Sequence, residues 1–209
     1  MPATVPFSKL TVICIILLSQ VFPLKCMQVV VIVLIKILLQ ISVKMILQRL
    51  DGVVDYIGAM ENKANDRQSE TCGWSESNPT IRSWLDSTSD CSRLWVHGHP
   101  GTGKSTLATW LIEHVRTHLS PNEIIVYFFC EGHHERKSSE SILKAFIEQV
   151  LQVMTEQCHK KIIDQLASDI EVKGPSYRFT VRDLSGYLES LLLSFTKSRC
   201  ALFLTDASF

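Results

Sequence analysis

The chain has 209 residues, 46% of them hydrophobic, and its 21 basic and 21 acidic side chains cancel to a formal net charge of zero. That balance excludes nucleic-acid binding by bulk charge. Seven cysteines, an odd number with no C-x-x-C pair, exclude a disulfide framework of the small secreted kind, and the length suits one domain of ordinary size with an appendage.

The appendage comes first. Residues 1–50 carry Lys9, Lys25, Lys36, Lys44 and Arg49 and no acid, which leaves 16 basic against 21 acidic residues, a net −5, in the rest. Leu10 to Leu24 is free of charge, and Val29 to Ile35 is a second apolar run that Lys36 ends. Each falls short of the roughly 18 residues that mark a spanning helix. A signal peptide fits the charged start and apolar centre but lacks a small-x-small cleavage site, because Gln20-Val21-Phe22-Pro23 follows. From Lys36 onward, Lys36, Gln40, Lys44 and Gln48 recur every fourth residue. With Asp51 and Asp55 they share a polar arc of roughly 120° on a helix, and the remaining face is read as holding Ile37, Ile41, Met45 and Val53, among others. Three readings stand for residues 1–60: a helical segment packed on other helices, a helix associated with a membrane, or sequence that does not belong to the protein. If the first run inserted, the basic residues after Leu24 would keep that side cytosolic. Residues 61–70 are polar without an apolar face and read as a helix end or linker.

The main domain is expected over residues 71–209. Asn78-Pro79 starts a short helix that holds Ile81, Trp84 and Leu85. Arg93 to His97 reads as a short buried strand. It leads into Gly98-His99-Pro100-Gly101-Thr102-Gly103-Lys104-Ser105, which fits G-x-x-x-x-G-K-[ST], with Thr106 following. Each residue type in that pattern has a physical role. Glycines let backbone N–H groups turn inward around a phosphate chain, the lysine supplies a mobile charge for the β- and γ-phosphates, and the Ser105 hydroxyl suits Mg²⁺. The helix that follows is marked by Leu107, Ala108, Leu111, Ile112, Val115 and Leu119. It points its positive end at the same place, and Ser120-Pro121-Asn122 stops it.

Glu123 to Cys130 is a near-continuous apolar run, as expected of a strand buried on both faces. Helical stripes follow, first Ile142 to Met154 and then a weaker one at Ile162, Ile163, Leu166 and Ile170 that Gly174-Pro175 breaks. Thr180 with Asp183 reads as a capping box opening the helix of Leu184, Tyr187, Leu188, Leu191, Leu192 and Phe195. Ala201 to Asp206 is a strand ending in an acid, and Asp206 is the candidate partner of Ser105 on Mg²⁺. Strands alternating with helices predict an α/β fold, a doubly wound parallel sheet with a P-loop NTPase core.

Residues 71–209 resemble the nephrocystin-like N-terminal NTPase domains of fungal proteins, within the NACHT branch of the STAND NTPases. The likeness is carried by Thr71-Cys72-Gly73-Trp74, Ser83-Trp84-Leu85, Leu94 to Leu107, Tyr127-Phe128-Phe129-Cys130, Ser141-Ile142-Leu143, Gln149-Val150-Leu151 and Tyr187-Leu188 with Leu191-Leu192. The resemblance implies a switch domain that binds Mg²⁺ with ATP or GTP in the cytoplasm and couples nucleotide state to self-association and signalling. It implies that Gly98, His99, Pro100, Gly101, Thr102, Gly103, Lys104, Ser105 and Thr106 hold the phosphates. The family usually follows its magnesium-site acid with Ala, an apolar residue, Asp and Glu. Asp206-Ala207 fits that pattern, whereas Ser208 and Phe209 depart from it. Little hydrolysis is therefore expected, and the chain looks truncated after this strand. The alternative is a non-catalytic, membrane-associated or vestigial fragment.

Other constellations take ordinary readings. Cys130 with His133 and His134, and His114 with His118, are surface or loop residues before they are zinc ligands. His133, His134, Arg136 and Lys137 could touch phosphate or a partner. Trp74 and Trp84 suit packing better than a nucleotide base.

Overall fold

The computed structural model describes residues 24–51, 55–68, 70–86, 94–119, 123–130 and 138–195, and the backbone of 200–206. In chain order the elements are α1 (Leu24–Arg49), α2 (Tyr56–Asp66), a 3₁₀ turn (Gly73–Ser77), α3 (Pro79–Leu85), α4 (Lys104–Thr117), β1 (Ile124–Cys130), α5 (Ser139–Glu156), α6 (Lys160–Val172), α7 (Val181–Leu193) and β2 (Cys200–Asp206).

The strand at the centre is β1, whose Ile124, Val126, Tyr127, Phe128 and Phe129 are buried. It pairs in parallel with β2, from Ile124 opposite Cys200 to Cys130 opposite Asp206. Helices α5, α4 and α2 all pack against β1, and α4 also meets β2. Gln149 on α5 closes the other edge of β1. Its Oε1 accepts from the Tyr127 N–H at 3.1 Å, and its Nε2 donates to the Tyr127 carbonyl at 2.9 Å. A strand residue directs both main-chain polar groups to the same edge, so the Gln149 amide stands where the next strand's peptide would be.

The expected doubly wound sheet is therefore corrected. The described residues are mainly helical, and the sheet they contain has two strands. One reason is the Gln149 plug on β1. The other is the segment expected to enter the glycine loop as a buried strand. Residues 94–99 have no regular secondary structure, and Trp95 is 86% exposed. An apolar run specifies residues that suit a strand, but a strand exists only where a neighbour takes up its amides.

Helix α1 joins the same core. Leu39, Val43, Ile46 and Leu50 are buried on one face of its C-terminal half, where it packs on α6 and α5. Arg49 donates from Nη1 to the Pro175 carbonyl at 2.9 Å and from Nη2 to the Gly174 carbonyl. A cation thus sits at the C-terminal end of α6, where the helix dipole is negative. The polar arc expected to run on to Asp55 is broken after Arg49: Asp51 takes a left-handed φ of 60°. Asp55 instead starts α2, accepting from the Gly58 N–H at 2.7 Å.

Helix α2 is held to β1 by its Tyr56, edge-on to Tyr127 at 5.7 Å between ring centres, and by Lys63 over the Phe129 ring. An Arg67–Glu113 ion pair of 2.5 Å ties the end of α2 to α4. One stretch of α1, Val31–Arg49, is long and apolar enough to cross a membrane, with mean hydropathy 2.0.

Candidate phosphate-binding loop

The loop before α4 is shaped by two glycines. Gly101 and Gly103 have φ of 80° and 83°, the left-handed region where a Cβ is strained. Between them Thr102 turns back on the loop, and its N–H and hydroxyl both donate to the His99 carbonyl, at 3.3 and 2.8 Å. A Cβ on Gly98 would stand 2.9 Å from the Thr102 hydroxyl, so the loop closes over a position that has room for hydrogen alone.

Gly103 is also the N-cap of α4 and has no side chain to accept from the first turn. The opening N–H groups of a helix lack intrahelical acceptors. Lys104, Ser105 and Thr106, which carry them, are half-buried residues. The Lys104 ammonium folds back across the loop and donates to the Gly98 and His99 carbonyls at 2.8 and 3.0 Å. Farther along, α4 is anchored by Leu107, Ala108, Leu111 and Ile112 in the core, and the Thr109 hydroxyl donates to the Ser105 carbonyl at 2.9 Å. The result is a rigid helix behind an exposed loop that concentrates uncapped N–H donors and one lysine. These groups fit a chain of phosphates.

Asp206 ends β2, with its backbone in register with Cys130 at the carboxyl end of β1. Ala207, Ser208 and Phe209 lie outside the described residues, as do His133, His134, Arg136 and Lys137. His114 and His118 do share a face of α4, but their rings meet tilted by 33° at 4.6 Å between centres, and Trp110 stacks on His114 at 4.8 Å. His118 Nδ1 lies 2.8 Å from the His114 carbonyl. Among the described residues no group of three or more His, Cys, Asp or Glu is arranged to hold a metal. Trp84 packs against the core, while Trp74 is exposed.

A second polar cluster was not foreseen. Lys173 reaches Asp183 at 2.7 Å and lies over the rings of Tyr177, Phe179 and Tyr187. Hydrogen bonds from Lys173, and then from the backbone and hydroxyl of Thr180, hold the Asp183 carboxyl far below the usual range, and Asp183 in turn raises Lys173. The capping box was legible, but a partner ten residues upstream across a Gly-Pro turn leaves no periodic signal.

The family model described as "Nephrocystin 3, N-terminal" matches residues 70–208. No curated protein and no solved structure matches the chain.

Proposed function

The chain belongs to the nephrocystin 3 N-terminal family, and from that premise we propose that residues 98–106 bind the triphosphate of ATP or GTP and that the domain is a NACHT-type nucleotide switch. The observation that carries the reading is one loop with two left-handed glycines, an uncapped helix start and a lysine folded over it. The loop N–H groups and those of Lys104, Ser105 and Thr106 receive phosphate oxygens. Lys104 leaves the Gly98 and His99 carbonyls and pairs with phosphate, a stronger, charge-assisted contact. Bound Mg²⁺ would screen the phosphate charge, with Ser105 and Asp206 as its protein ligands. Self-association then follows nucleotide state. The role is binding and switching, with little turnover.

Titration calorimetry of the full chain with Mg-ATP and Mg-GTP tests this. Lys104→Ala should weaken binding by about 2–3 kcal/mol, the worth of hydrogen bonds to a charged group. Equal affinity of wild type and variant would remove the reading. A second reading rests on the exposed, irregular segment 94–99. In it the described residues before the loop do not brace it as a strand, and the nucleotide site is vestigial. That reading stands if neither nucleotide gives heat of binding with the wild-type chain.

A further inference from the structure

Helices α1 and α5 enclose an open groove of about 500 Å³, the size of a small-molecule site. Gln40, Lys44 and Gln48 line it from α1, and Glu148, Gln152 and Glu156 line it from α5, each set at four-residue spacing. Val43 and Leu47 add apolar surface. Among the described residues, Lys44, Glu148 and Glu156 make no ion pair, with one another or elsewhere. Glu148 is half-buried and receives one long bond, 3.5 Å from Gln152 Nε2. Burial pushes its carboxyl up, with no cation beside it to hold the charge. The Tyr56 hydroxyl lies near Glu148 and Gln152, on a residue only 4% exposed, and has no hydrogen-bond partner. A desolvated carboxylate without a counter-ion and a buried hydroxyl without a partner, beside one cavity, call for positive charge and N–H donors.

The charges narrow the chemistry further. Glu148 and Glu156 stand two turns apart on α5, about 12 Å at 1.5 Å per residue. One ammonium group or one metal ion does not meet both, whereas a ligand with a cation at each end does. Lys44 lines the same groove and asks for an anion. Two cations and one carboxylate on a single small molecule answer all three charges. We propose that the groove between α1 and α5 binds a free dibasic α-amino acid, arginine or lysine. Its carboxylate pairs with Lys44, and its α-ammonium and side-chain cation pair with Glu148 and Glu156. The amide oxygens of Gln40, Gln48 and Gln152 accept the remaining N–H groups. These contacts are charge-assisted. The proposal is independent of nucleotide binding at the glycine loop.

Titration calorimetry of the full chain with L-arginine and L-lysine is the test. Agmatine, which lacks the carboxylate, and L-citrulline, which lacks the side-chain cation, are the controls. Arginine or lysine should bind and raise the melting temperature. Each control should bind about tenfold or more weakly than arginine, the worth of one lost charge-assisted bond. Lys44→Gln should bring arginine down to the affinity of agmatine. Glu148→Gln and Glu156→Gln should each weaken arginine by a similar factor. Without ligand, Glu148→Gln should not lower the melting temperature, because it removes a desolvated charge that has no partner. Four outcomes would overturn the proposal. No heat with either amino acid means that the groove is ordinary solvated surface. Equal affinity for arginine, agmatine and citrulline means that the charges are not read. Agmatine tighter than arginine means a plain amine site in which Lys44 only repels. Variants that bind arginine like wild type place its binding elsewhere on the chain.

Discussion

Gln149 does the work of a missing strand with one side chain. It is 6% exposed, and besides Tyr127 its Nε2 serves the Ala145 carbonyl at 3.1 Å. Its amide offers one acceptor and two donor hydrogens, which is what Tyr127 N–H, Tyr127 C=O and Ala145 C=O require. Gln149→Met keeps the shape and removes the polarity, leaving a buried N–H and C=O of β1 unpaired. At about 1–3 kcal/mol for each orphaned group, the loss should be about 2–6 kcal/mol in a urea melt. A loss under about 1 kcal/mol would mean that water or another group takes over the edge. Gln149→Glu should be worse at neutral pH and recover in acid. A carboxyl buried there has a raised folded pKa, so stability falls as pH climbs above the unfolded value of about 4.3. Asp183 has the opposite sign. Its carboxyl is depressed in the folded chain, so its contribution is present above about pH 3.9 and is lost as pH falls through the folded value. Asp183→Asn should flatten the acid limb of a stability-versus-pH curve, and an unchanged limb would show that the Lys173 pair does not couple to folding.

Elements were more legible than their arrangement. The run from Glu123 to Cys130 became β1, the stripe at Ile142 to Met154 became α5, and Thr180 with Asp183 formed the expected capping box. These signals are local: burial on both faces, a 3.6-residue period, and a cap read over four residues. The cap is testable by itself. Thr180→Ala removes the acceptor for the Asp183 N–H and should cost about 1 kcal/mol by chemical denaturation. No change would mean that Asp183 and Lys173 fix the start of α7 unaided. Two things were not legible because they are not local. Leu94 to His97 has the composition of a strand, but the sequence does not record whether a neighbour is there to pair with it. The polar arc through Asp51 continues the helical period, yet the chain turns left-handed at that residue. The glycine loop was legible as a motif, while which of its glycines are left-handed, Gly101 and Gly103, was not. The fold of Lys104 onto its own loop carbonyls was not, since a motif carries no information about which acceptor a long side chain takes.

At the scale of the molecule, the family match begins at residue 70, but among the described residues one buried cluster holds side chains from Leu39 to Phe195. Residues before the match contribute Leu39, Val43, Ile46 and Leu50 from α1 and Tyr56, Ala59 and Met60 from α2. The six larger of these buried apolar side chains, at about 1.5–3 kcal/mol each, come to about 9–18 kcal/mol of gross transfer free energy. That is an upper range, because denatured chains already bury some surface, and the entropy of ordering α1 and α2 offsets part of it. The helices these residues cover are apolar in turn: α6 turns Ile163, Leu166 and Ile170 inward, and β1 meets Tyr56 with Tyr127. A chain shortened to begin at Lys63 would leave these surfaces facing water, where they promote non-native association. It should bind a hydrophobic dye and melt without a cooperative transition, while the full chain melts cooperatively. Leu39→Ala gives a finer version, since that side chain is 1% exposed and its removal should cost about 2–5 kcal/mol. If the shortened chain melted as sharply and at the same temperature as the full one, α1 and α2 would be passengers on a self-sufficient domain, and the place of Leu39 in the shared cluster would have no energetic meaning.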